Sequence, residues 1–79
     1  MKYLSGYSQN QIFAIGANIK KLRSSKGISQ LDLAMNAGIA PGTIVNLEKQ
    51  LPRNPHWTTL ERVAKALGTH INLLINFNF

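Results

Sequence analysis

With 79 residues the chain has room for one domain around a single modest core, and its 44% apolar content is enough to form one. Nine Lys and Arg against three Asp and Glu leave a formal charge of +6, the footprint of a chain that approaches a polyanion. No apolar run nears the roughly 18 residues that span a bilayer, the opening MKYLSGYSQNQ lacks the apolar stretch of a secretion signal, and the absence of cysteine excludes disulfides and thiolate zinc sites, so a cytoplasmic chain without redox chemistry is expected.

In chain order, residues 1–8 read as a polar and aromatic N-terminal arm, and a first helix follows that Ser8 caps with Gln11 as its reciprocal partner. Ile12, Ile15, Ile19 and Leu22 share one face of it. Gly16 interrupts that helix at a cost of about 1 kcal/mol relative to alanine, so either the helix begins near it or something packs closely against it. Gly27 closes the segment. The run from Ser29 to Glu48, SQLDLAMNAGIAPGTIVNLE, then predicts two short helices joined by a glycine turn. Ser29 caps the first of these, with Asp32 where a capping-box acid belongs, and Leu33, Ala34 and Ala37 form its apolar side. Gly38 supplies a residue able to take positive φ, which ends that helix and lets Ile39 bury itself under the corner. Pro41 fits the first turn of the next helix, where Ile44 and Leu47 fall on the core side and Pro41, Gly42, Val45 and Asn46 fall toward solvent. A solvent-facing helix with so few charges is offered to something.

KQLPRNP reads as a loop, after which Thr58 with Glu61 opens a fourth helix with Leu60, Val63, Ala64 and Leu67 facing inward, ended by Gly68. From Ile71 the period changes: Ile71, Leu73, Ile75, Phe77 and Phe79 occupy alternate sites, a strand pattern. The alternative is a fifth helix or frayed end containing Leu73 and Leu74. The expected organisation is therefore an arm at 1–8, a helical domain at 9–69 and a C-terminal strand at 70–79.

Taken together, IKKLRSSKGISQLDLA, the turn from Ala34 through Gly38 to Ile39, TIVNLE and NPHWTTLERVAKALG resemble the helix-turn-helix domains of the lambda-repressor, Cro and XRE family, over about Ile15 to Leu67. The resemblance implies an all-α fold of four or five helices around one core. Its second helix would brace against the phosphate backbone and its third would enter the major groove of double-stranded DNA. It also implies a transcriptional repressor. Most relatives end in a fifth helix, so the alternating tail is a departure, and a lone apolar strand needs a partner. Two copies pairing their tails antiparallel would supply one, with Ile71, Leu73, Ile75, Phe77 and Phe79 as the dimerisation face of a homodimer on a pseudo-palindromic operator. That combination is similar to the HipB antitoxins and implies autoregulation of an operon and a HipA-like toxin kinase as partner. The alternatives are a protein-interaction module that neutralises such a kinase with DNA binding secondary, and a phage or restriction-modification type regulator.

Site residues follow from chemistry and from the resemblance. An asparagine on an exposed recognition helix can pair with adenine N6 and N7, which points to Asn46; Thr43 can touch a phosphate or a thymine methyl, and Pro41 and Val45 the same methyl. Gly42 leaves a commonly base-reading position without a side chain, so direct readout is expected to be thin and groove shape to contribute. Gln30, with the free N–H groups beside it, is placed to grip a phosphate. Ala40, which stands where a polar cap is usual, joins it among the phosphate contacts, as do Lys49, Arg53 and Asn54 of the loop that relatives lay along the DNA. The family position of Arg23 and Glu48 implies an ion pair tying the first helix to the third. Trp57 reads as a lid on the core, and Leu31 and Met35 as exposed apolar residues able to receive a partner's tail. No enzyme is expected: His56 and His70 lie far apart, each acid is claimed by a cap or the ion pair, and neither a cofactor nor a metal site is read.

Overall fold

Among the described residues of the computed structural model five helices follow one another: α1 (Gln9–Ser25), α2 (Gln30–Ala37), α3 (Pro41–Glu48), α4 (Trp57–Ala66) and α5 (Ile71–Asn76). The structure describes residues 9–49 and 55–76, with side chains for 14–49 and 55–75. Expectations placed on Ser8, Gln11, Ile12, Arg53, Asn54, Phe77 and Phe79 lie outside these.

One apolar core unites all five helices, with Ile15 and Ile19 from α1, Leu33 from α2, Ile44 from α3, Leu60 from α4 and Leu74 from α5 each at or below 1% exposure. Leu22, Ile28, Ile39 and Trp57 pack around it partly buried, so Trp57 does close the core at the start of α4. Helix α1 runs straight through Gly16. A Cβ built there would collide with the carbonyl oxygen of Leu47, and the Leu47 carbonyl carbon and Glu48 Cα stand 3.3 and 3.5 Å from it. The glycine is thus the place where the last turn of α3 lies directly on α1.

Two local expectations are corrected. Helix α4 is capped by His56, not by Thr58 with Glu61: the imidazole Nδ1 accepts the N–H of Thr58 at 3.2 Å. A capping side chain must sit on the extended residue just before the first helical one, and here that residue is His56, with φ −73° and ψ 135°. The second correction concerns the tail, which is helical over Ile71–Asn76, and no β-sheet forms among the described residues. Leu74 and Ile75 are 0% and 2% exposed and Ile71 packs against the core, while Leu73 is 43% exposed. Positions 71, 74 and 75 form a helical i, i+3, i+4 set, and burying Leu74 is something an alternating strand with 71, 73 and 75 inward cannot do. Asn18 completes the attachment by donating from Nδ2 to the Leu74 carbonyl at 2.8 Å, which satisfies a group near the open end of α5. Ile75 therefore belongs to its own subunit's core and is not a strand residue pairing across a dimer, and the described part of the 70–79 segment is continuous with the helical body.

Candidate nucleic-acid interface

The unit formed by α2, its turn and α3 is built from local signals that agree. Ser29 Oγ accepts the Asp32 N–H at 3.0 Å and Asp32 Oδ2 accepts the Ser29 N–H at 3.5 Å, a capping box that starts α2. Gly38 ends it with φ 69° and ψ 35°. The Ile39 N–H reaches back to the Ala34 carbonyl at 3.0 Å and the Gly38 N–H to Met35 at 3.2 Å, the paired bonds of a Schellman turn that satisfy the last carbonyls. Arg62 of α4 donates to the Gly38 carbonyl at 3.4 Å and so ties the turn to the next helix.

Helix α3 opens after Ala40 with no side-chain cap bond and with Pro41 in its first turn. Ile44 and Leu47 are buried, Thr43 and Val45 half-buried, and Ala40, Pro41, Gly42, Asn46 and Lys49 exposed. All five residues expected to meet bases therefore share the outer side of one helix. Its only charged side chain, Glu48, is turned away from that surface.

What holds Glu48 is a network joining three helices. Arg23 of α1 approaches it side-on, Nε to Oε2 at 2.7 Å and Nη2 to Oε1 at 3.0 Å, and Nη1 donates to the Ile28 carbonyl at 3.0 Å. The side chains are 15% and 5% exposed. The hydrogen bond to Glu48 is the main reason the Arg23 guanidinium is held above its ordinary arginine range, against the opposing effect of burial. Gln30, at the start of α2, donates from Nε2 to Glu48 Oε1 at 3.1 Å. An amide nitrogen carries two N–H groups, so this bond pins the Gln30 side chain while its second donor has no partner among the described residues.

Of the remaining described cations, Lys20, Lys21 and Lys26 are exposed on or just after α1, Arg62 and Lys65 on α4, and Lys49 at the C-terminal end of α3. Among the described residues no group of three His, Cys, Asp or Glu could hold a metal ion, and no helix is long and apolar enough to cross a membrane. Three functional features escaped the sequence reading: the His56 cap, the bond from Gln30 to Glu48, and Asn18. Asn18 alone left a signal, as a polar residue in register with Ile15 and Leu22 on the buried face of α1.

Comparison with known proteins places this geometry among relatives. A sequence profile described as helix-turn-helix matches residues 19–74. The HTH-type transcriptional regulator SinR of Bacillus licheniformis is 37% identical over 62 residues, which make up 78% of this chain and 56% of SinR. A crystal structure of SinR, described as the master regulator for biofilm formation, in complex with DNA superposes with a TM-score of 0.74 at 35% identity, covering 78% of this chain and 98% of that one. The complex of SinR with SinI gives a TM-score of 0.75 at 35% identity, over 80% of this chain and 61% of the other. The chain spans about half the length of the curated SinR relatives it matches, and those relatives are transcriptional regulators, not enzymes.

Proposed function

This chain belongs to the helix-turn-helix family, and from that membership we propose that it is a cytoplasmic DNA-binding transcriptional repressor that sets α3 into the major groove of an operator. The observation that carries the reading is the outer face of α3 and, on it, Gly42. Beyond its own stretch of helix, no atom of the described residues lies within 4 Å of where a Gly42 Cβ would stand, and its φ is not positive, so neither packing nor a turn among them requires glycine there. Glycine costs a helix up to about 1 kcal/mol relative to alanine, and its benefit is the close approach of another surface to bare backbone.

The mechanism follows from the network around Glu48. Arg23 and Gln30 fix α3 against α1 and α2, so the exposed face is presented at a set angle. The free first-turn N–H groups of α2 and the spare donor of Gln30 then grip a phosphate beside the groove, helped by the dipole of α2. Lys49 adds charge at the far end of α3. That SinR has been solved on DNA with this same arrangement of helices supports the assignment.

Two copies on a pseudo-palindromic site would place their α3 helices on successive groove faces about 34 Å apart. Such a homodimer does not rest on paired tail strands, since α5 is a helix. The antitoxin reading, with a HipA-like toxin kinase as partner, drew on the alternating tail and loses that support. A protein partner of some kind is favoured instead by Leu31 and Met35, 53% and 69% exposed one turn apart on α2, and by the SinR complex with SinI.

Titration of the chain against mixed-sequence duplex, read by anisotropy, tests the proposal. Affinity is expected to fall steeply and log-linearly as salt rises from about 50 to 200 mM, because phosphate contacts release counterions. Absence of any complex in dilute buffer would remove the DNA-binding role and leave the protein-interaction reading.

A further inference from the structure

Resting on the DNA-binding reading, we infer that α3 selects A·T pairs and makes no guanine contact: each half-site presents an adenine to Asn46, flanked by thymine methyls against Pro41 and Val45. In the major groove, guanine is read by the paired donors of Arg or Lys, cytosine by a carboxylate, adenine by Asn or Gln, and thymine by apolar contact with its methyl.

The Arg23 guanidinium lies on α1 and is turned inward, 15% exposed, with Nε, Nη1 and Nη2 each donating one hydrogen within the subunit. Glu48 is unable to accept from cytosine N4, because its oxygens are occupied by Arg23 and Gln30 and its side chain is 5% exposed. Pro41–Glu48 contains no Lys or Arg, and Lys49 follows the last residue of α3, at the opposite end from the turn that meets base edges. Two hydrogen-bonding side chains are left on the reading face, the exposed amide of Asn46 and the half-buried hydroxyl of Thr43. The rest of that face is Pro41, Gly42 and Val45, apolar and small, which suits methyl groups and not the polar edge of a G·C pair. Gly42 lets the backbone come close enough for the short Asn46 side chain to reach.

Duplexes selected from a random pool by the intact chain, then resynthesised with single-atom analogues, decide the matter. Replacing the selected adenine by 7-deazaadenine removes N7 and should weaken binding about tenfold, and deoxyuridine for the flanking thymine should weaken it severalfold. 7-Deazaguanine anywhere in the half-site should leave affinity unchanged. Asn46→Ala should abolish sensitivity to 7-deazaadenine while keeping the melting temperature. Loss of affinity on 7-deazaguanine substitution, indifference to 7-deazaadenine, or binding without any sequence preference would each overturn the inference while leaving DNA binding intact. Failure to bind any duplex at low salt would instead overturn the functional reading beneath it.

Discussion

The carboxylate of Glu48 accepts from Arg23 on α1 and from Gln30 on α2 while belonging to α3, so one side chain sets the mutual position of three helices. Removing it strands a mostly buried guanidinium. Glu48→Ala is accordingly expected to cost about 3 kcal/mol in denaturant unfolding; an unchanged melting temperature with lost DNA binding would show instead that Glu48 acts at the interface. Titration of Arg23 adds no pH dependence near neutrality. Its folded pKa is raised, so its contribution is fully present below the ordinary arginine value and disappears only as pH climbs above it. Gly42 makes the opposite kind of case. With open space around it, Gly42→Ala should stabilise the free domain by about 0.5 kcal/mol, modest because the site lies in the first turn, and should weaken operator binding. A variant that gains stability with unaltered DNA affinity would show that bare backbone is not needed at the interface.

Among the helices, α1 has two attachments that the sequence hints at, by a glycine inside the helix and a polar residue on its apolar face, without naming their partners. Gly16 lets the last turn of α3 lie against it, and Asn18 holds the carbonyl of Leu74. The second attachment changes what the tail is for. Leu74 and Ile75 are core residues, and losing buried side chains of this size costs about 2 to 5 kcal/mol each. Deleting residues 71–79 should therefore abolish the cooperative thermal transition. A truncated chain that melts cooperatively near the parent temperature would mean that α5 is dispensable to the fold and free for another role.

The sequence carries a formal charge of +6, and its described cations lie on or beside α1, α3 and α4 while the reading face of α3 is uncharged. Attraction to the duplex and discrimination among sequences are thereby assigned to different surfaces. Lys49→Ala is expected to weaken every sequence alike and to lower the slope of log affinity against log salt by about one. A loss confined to one operator sequence would place Lys49 among the base contacts.

Elements governed by neighbours in the chain were legible from the residues: the capping box of Ser29 and Asp32, the Gly38 turn, the inward Ile44 and Leu47, and the outward face of α3 all rest on contacts within a few positions. The Arg23 to Glu48 pair spans 25 positions and became readable through family resemblance, not through spacing. Where the chain offered two periods at once, the residues alone did not choose. Ile71 and Ile75 suit a strand with Leu73 and a helix with Leu74 equally well, and what settles it is the apolar groove beside α1 together with the Asn18 amide 56 positions earlier. Burial and a long-range hydrogen bond exist once the chain has folded, so a polar residue such as Asn18 on an apolar face hints at such a bond without naming its partner.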